Sequence, residues 1–120
     1  MVEIKNNIYV IFIILFSCTT LQFDDSTESV FNSAKKSLAE GNYNRAKGEF
    51  EFVILNSPLS PYAADSFFYL GESKYILEKY SEAILEYERY LKLPVRNTTL
   101  SKKSEFMICK SNPPISINYV

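Results

Sequence analysis

The chain has 120 residues, with 13 basic against 14 acidic side chains, nine Tyr, nine Phe, three Gly and neither His nor Trp. That length suits one small domain, and the near-balanced charge, with no Lys/Arg strip interleaved with aromatics, excludes a surface that tracks nucleic acid. The lack of histidine removes the commonest general base near neutral pH and the commonest nitrogen ligand, so no metal and no cofactor is expected.

In chain order, Met1 to Asn7 is short and polar with Lys5 as its cation, and Ile8 to Phe16 is a run of nine apolar residues. This is the n-region and h-region pattern of an export signal. As a helix the run spans about 14 Å against a hydrocarbon core of about 30 Å, too short for a comfortable permanent span. Leu15-Phe16-Ser17-Cys18 resembles the lipobox of bacterial lipoproteins. The resemblance implies cleavage of a signal peptide over residues 1–17, lipid attachment at Cys18 and anchoring to a membrane. Thr19 follows the cysteine where Asp does not, and in lipoproteins of this type that goes with transport to the outer membrane. Residues 18–26 then read as a polar tether with too few apolar side chains to pack.

From residue 27 the apolar positions recur with an offset of 37. Tyr43, Ala46, Phe50, Val53 and Ile54 are matched by Tyr80, Ala83, Tyr87, Tyr90 and Leu91, one face of a helix written twice. Val30, Ala34 and Leu38 match Phe67, Gly71 and Tyr75 at the same offset, so each unit is a pair of helices. Gly41-Asn42 and Glu78-Lys79 mark the turns within pairs; Asn56-Ser57-Pro58 and Leu93-Pro94 end the second helices, since Pro cannot continue one. Ser60-Pro61 opens the next helix with Pro in its first turn. The spacing predicts helices over 27–40, 43–56, 61–77, 80–93 and 101–112, in an all-α domain over residues 27–112 with an irregular tail over 113–120.

Leu70-Gly71, Tyr75, Tyr80, Ala83 and Tyr87 resemble the tetratricopeptide pattern, as do Gly41, Tyr43, Ala46, Phe50 and Pro58 in the first repeat. The resemblance implies an α-solenoid of stacked antiparallel helix pairs. Ala34, Tyr43, Ala46, Phe50, Leu70, Gly71, Tyr80, Ala83 and Tyr87 are expected to pack the repeats. The sequence departs from the pattern at Ser33, Lys74 and Glu78, where Leu, an aromatic and Gly are usual. Glu82, Glu86, Glu88, Arg89 and Lys92 are expected on the exposed face, with Glu88 and Lys92 paired one turn apart.

Phe106, Ile108 and Cys109 align with Phe68, Leu70 and Gly71 at an offset of 38, so residues 101–112 begin a third repeat whose partner helix is missing. The expectation is about two complete repeats plus part of a third, a shortened version of a longer protein. Beside Met107 and Ile108, Cys109 is expected to be a buried small apolar residue.

A lipoprotein signal followed by these repeats, with Gly41-Asn42-Tyr43 and Ser60-Pro61-Tyr62-Ala63 at the first turn and the repeat junction, resembles the BamD family. These are the helical-repeat lipoproteins of the outer-membrane β-barrel assembly machinery. The resemblance implies a scaffold at the outer membrane, facing the periplasm, whose partners are the barrel-forming assembly subunit, accessory lipoproteins and unfolded outer-membrane proteins. In tetratricopeptide arrays the first helix of each pair lines the groove, which here points to Phe31, Lys35, Phe68, Glu72 and Tyr75 as partner-binding residues; the competing reading is ordinary packing between repeats. Another envelope adaptor, such as a Tol-Pal-associated coordinator of division, is the alternative that Cys18 discriminates against. An envelope enzyme is the remote one: Glu82 and Glu86 share a helix face but read as solvated surface, and no catalytic residue is expected.

Overall fold

The computed structural model describes residues 25–112. The signal peptide over 1–17, the lipid-attachment residue Cys18, nearly all of the tether and the tail over 113–120 lie outside the described residues. Five helices follow in order: α1 (Asp25–Ala39), α2 (Tyr43–Asn56), α3 (Pro61–Ile76), α4 (Tyr80–Lys92) and α5 (Thr98–Ser111). Each packs on its neighbour in the chain, and α3 also touches α1 and α5. The result is a tetratricopeptide-like array: α1 with α2, α3 with α4, and α5 stacked on the second pair.

The turns within the two pairs are the same turn. Gly41 (φ 81°) and Glu78 (φ 61°), 37 positions apart, are the two described residues with positive φ. Around Gly41, the Asn42 amide donates to the Ser37 carbonyl at 2.8 Å and the Gly41 amide to that of Leu38 at 3.2 Å. Around Glu78, Lys79 donates to Lys74 at 2.9 Å and Glu78 to Tyr75 at 3.0 Å. Both are Schellman caps, which satisfy the last carbonyls of a helix through one left-handed residue. Glycine takes that conformation without a Cβ clash, whereas glutamate is strained in it. Glu78→Gly is therefore expected to raise stability by roughly 0.5–1 kcal/mol, net of the extra freedom glycine gains when unfolded, as read by urea denaturation.

The junctions between pairs repeat as well. The Ser60 hydroxyl accepts the Ala63 amide at 3.0 Å, with Pro61 in the first turn. At the equivalent Asn97, the side-chain oxygen accepts the Thr99 and Leu100 amides at 2.8 and 3.3 Å. Tyr90 holds that loop from below, its hydroxyl accepting the Asn97 amide at 2.8 Å and donating to the Asn97 carbonyl at 3.2 Å. With such short connections the helices alternate in direction. The start of α1, the α2–α3 loop and the α4–α5 loop therefore share one end of the array, and Thr27 and Ser57 are joined there through their hydroxyls at 2.6 Å.

Two apolar clusters fill the array. Phe31, Ala34, Ala46, Phe50, Val53, Ala63 and Leu70 form the first, and Phe68, Ala83, Tyr87, Tyr90 and Leu100 the second. Tyr69 joins them, stacked on Phe50 (ring centroids 5.6 Å apart, 15° between planes) and edge-on to Phe68 (5.3 Å, 77°). Of the expected packing residues, Ala34, Ala46, Phe50, Leu70, Gly71, Ala83 and Tyr87 are buried and Tyr43 is half-buried. Tyr80 is exposed at the rim, edge-on to Tyr75 at 5.2 Å. Ser66, Ser73, Ser104 and Ser111 are buried too, each donating its hydroxyl to the carbonyl four residues earlier. Their small size brings helices close while that bond satisfies the buried oxygen.

The 38-residue offset explains α5 in detail. Leu100, Ser104, Met107, Ile108 and Ser111 face the core where Tyr62, Ser66, Tyr69, Leu70 and Ser73 do in α3. The other face of α3 packs on α4, and its Phe68 is 1% exposed; the matching Phe106 is 64% exposed. For the same reason Cys109, at the place of Gly71, is an exposed free thiol and not the buried residue its neighbours suggested. Burial here follows which helix lies opposite, and among the described residues none lies against that side of α5.

Candidate functional site

The first helices α1, α3 and α5 lie side by side, and their shared face is where the expected binding residues divide. Phe31 and Phe68 are core residues, 6% and 1% exposed, so neither offers its ring to a ligand. Phe31 sits edge-on to Phe50 at 6.0 Å, and Phe68 lies 5.7 Å from Tyr87. These two are corrected from groove to packing, because the stacked pairs need aromatic bulk between them. Lys35, Glu72 and Tyr75 do reach the surface. The Lys35 ammonium lies 5.7 Å from the Phe31 ring centroid and 5.5 Å from that of Tyr69, and Lys110 lies 5.3 Å from the Tyr75 ring, distances at which a cation is held by an aromatic face.

Sequence reasoning passed over Tyr62, Asp65 and Tyr69, which complete this face beside the expected Glu72. On α3, Tyr62, Asp65, Tyr69 and Glu72 alternate at spacings of three and four, one stripe of a helix in which phenols alternate with carboxyls. Burial raises the pKa of Asp65 against the opposing charge of Lys35, and raises that of Glu72 against Lys103. The stripe offers half-buried acids and tyrosine rings, flanked by lysines on α1 and α5. Such a face can hold an extended or helical peptide segment by hydrogen bonds, ring contacts and ion pairs.

Behind this face each helix pair is tied by a glutamate of its second helix, at equivalent positions 49 and 86. In the first pair Glu49 accepts hydrogen bonds from the hydroxyls of Ser33 and Ser37, both at 2.9 Å, and from Arg45 Nε at 3.0 Å. Burial works against ionisation of Glu49, but the bonds from Ser37, Arg45 and Ser33 outweigh it and hold the pKa below the ordinary value. In the second pair Lys74 Nζ donates to Glu86 Oε1 at 2.8 Å, and Arg89 donates to both Glu86 oxygens at 3.1 Å. Glu82 is a more distant partner of Lys74 at 3.6 Å.

Glu86 is thus corrected from exposed to buried, 2% exposed, since position 86 lies on the arc shared by Ala83, Tyr87 and Tyr90. Glu82, Glu88, Arg89 and Lys92 are exposed as expected, although Glu88 and Lys92 form no ion pair with each other. The departures at Ser33 and Lys74 are explained together: each is a partner of the glutamate that ties its own pair. A sequence signal existed, the recurrence of Glu at the 37-residue offset with a polar residue twelve positions before it.

Four tyrosines, Tyr62, Tyr69, Tyr87 and Tyr90, have raised pKa values. Burial is the leading cause for Tyr69, Tyr87 and Tyr90, and a hydrogen bond to Glu28 for Tyr62. A raised folded-state value means the folded chain keeps protons that the unfolded chain has released, so stability falls as pH rises past about 10, the ordinary tyrosine value. Denaturation midpoints measured from pH 8 to pH 11 are expected to be flat and then drop above about pH 10, together with the phenolate absorbance change.

Among the described residues, no group of three or more His, Cys, Asp or Glu could hold a metal ion, and no helix is long and apolar enough to cross a membrane. Paired helices, small residues at close approaches, inter-pair caps and a continuous face of first helices define a tetratricopeptide-like repeat module. The family model of the outer membrane lipoprotein YfiO matches residues 23–107, which spans all of α1 to α4 and most of α5. The chain belongs to this family of outer membrane lipoproteins. No curated protein and no solved structure matches the chain.

Proposed function

We propose that this chain is a membrane-tethered scaffold of the cell envelope, of the BamD type, that takes part in assembling outer-membrane β-barrel proteins. The observation that carries the reading is the family match over residues 23–107 on a repeat module with a continuous first-helix face. Cys18 carries the lipid anchor, the domain faces the periplasm, and the module works by binding, without covalent chemistry of its own. Its partners are the barrel-forming assembly subunit, accessory lipoproteins and unfolded outer-membrane segments. Lys35, Asp65, Tyr69, Glu72 and Tyr75 supply the contact, with alternating charge fixing register and tyrosine rings supplying area.

Photo-cross-linking in cells from positions 35, 72 and 75, followed by identification of the captured protein, tests the reading. Recovery of the barrel-forming subunit is expected from at least one position, and little from a probe at the buried position 68. Capture of Tol-Pal components alone would sink the assembly role in favour of another envelope adaptor. The anchor is tested separately: Cys18→Ser is expected to release the chain from the membrane fraction.

A further inference from the structure

The three most exposed large apolar side chains of the described residues are Leu59 (97%), Val95 (82%) and Leu55 (79%). Leu59 lies in the α2–α3 loop, Val95 in the α4–α5 loop and Leu55 in the last turn of α2. All three therefore lie at one end of the array, the end at which α1 begins, pinned by the Thr27–Ser57 bond. The opposite end is built from the charged turns Glu40-Gly41-Asn42 and Leu77-Glu78-Lys79, and its large apolar side chains Ile76 and Tyr80 are about half as exposed.

Charge follows the same division. Residues 52–64 contain no charged side chain, an interval that takes in Leu55, Leu59 and Pro58. Exposed cations stand on either side of Val95, Lys92 at the end of α4 and Arg96 in the α4–α5 loop, with Arg96 Nη1 donating to the Leu93 carbonyl at 2.7 Å. Of the acids toward this end, Glu28 lies in the first turn of α1, where the helix dipole favours it, and Glu51, Asp65 and Glu88 stand about a turn in from the loops along α2, α3 and α4. Isolated apolar side chains at loop tips, without acids among them and with cations beside them, suit the headgroup boundary of a bilayer.

We propose that this end of the array rests on the membrane, with Leu55, Leu59 and Val95 seated in the lipid interface beside the anchor. The inference rests on the reading of Cys18 as the anchor. Cys18 stands seven positions before Asp25, a reach of at most about 25 Å when extended. A lipid at Cys18 thus keeps the start of α1 within that distance of the bilayer, and the α2–α3 loop bonded to α1 comes with it. Contact at the two loops sets the array upright, with the first-helix face turned sideways and open to partners.

The chain has no tryptophan, so single probes report cleanly. Leu59→Trp, Val95→Trp and, at the far end, Asn44→Trp would be made in the full lipidated chain. Each would be reconstituted into vesicles of phosphatidylethanolamine and phosphatidylglycerol with brominated acyl chains. Quenching at positions 59 and 95 is expected to exceed that at 44 roughly threefold, with blue-shifted emission. Equal quenching at all three, or none at 59 and 95, overturns the proposal. Blue-shifted emission at 59 and 95 on self-association in lipid-free solution also overturns it, by assigning the surface to a second copy. The anchor is read independently by the mass of the mature chain. A chain without lipid at Cys18 sinks the anchor reading, while the same probes with vesicles added in excess still decide whether the loops meet lipid.

Discussion

Replacing Glu86 by alanine is expected to lower the stability of the domain by about 3 kcal/mol, the cost of leaving a buried charge without its partner. Lys74, 8% exposed, would keep only Glu82 at 3.6 Å, whose carboxylate is itself half in solvent. For a domain of this size that cost corresponds to a fall in melting temperature of roughly 12–24 °C. Lys74→Ala is expected to cost less, since Glu86 keeps both bonds from Arg89. Replacing both at once, Lys74→Met with Glu86→Leu, removes the charges together and is expected to recover most of the loss. Thermal and urea denaturation of the two alanine variants and of Lys74→Ala combined with Glu86→Ala give the interaction energy directly; simple additivity of the single effects would show that the pair is not a unit.

Gly71→Ala is the second large effect. A Cβ at this position would lie 2.7 Å from Tyr87 Cε1, 2.9 Å from Cδ1 and 3.0 Å from Cζ. The Tyr87 ring cannot retreat, because it is fully buried beside Phe68 and is not the free end of a flexible chain. The expected cost is about 2–3 kcal/mol, as for other over-packed cores. Gly71→Ala combined with Tyr87→Leu is expected to lose less than the two single changes added. Gly48 is the internal control: a Cβ there meets nothing within 4 Å, so Gly48→Ala is expected to stabilise α2 by about 0.5–1 kcal/mol. If both alanine variants behaved alike, close approach of α3 and α4 would not be the reason for glycine at 71.

These contrasts also mark what the sequence made legible. The helix boundaries agree with the spacing to within three residues, because Pro61, the Asn42 and Lys79 turns and the 37-residue recurrence constrain the same ends independently. Gly71 and the alanines were readable as close approaches, since small residues at one recurring position serve little else. Glu86 was not, because a charge at a helical position is read outward unless its partner on another helix is known. Phe31, Phe68 and Cys109 misled for a related reason. A periodic pattern identifies a face of a helix but not the neighbour that covers it, so two rings expected in a groove lie inside and a thiol expected inside lies outside. The acidic-aromatic stripe of α3 became visible only when α1 and α5 brought Lys35 and Lys103 to its two sides.

The unlike partners of Glu49 and Glu86 bear on how the chain avoids assembling wrongly. Two helix pairs with matching apolar faces invite exchange, in which α4 docks on α1 or a segment swaps between molecules. If α4 took the place of α2, Glu86 would meet the hydroxyls of Ser33 and Ser37, and the Lys74 ammonium would be stranded in the interior. The acid is common to both second helices and only α3 carries a cation opposite it, so a mispairing that leaves α3 without a second helix is penalised by a buried charge rather than by shape.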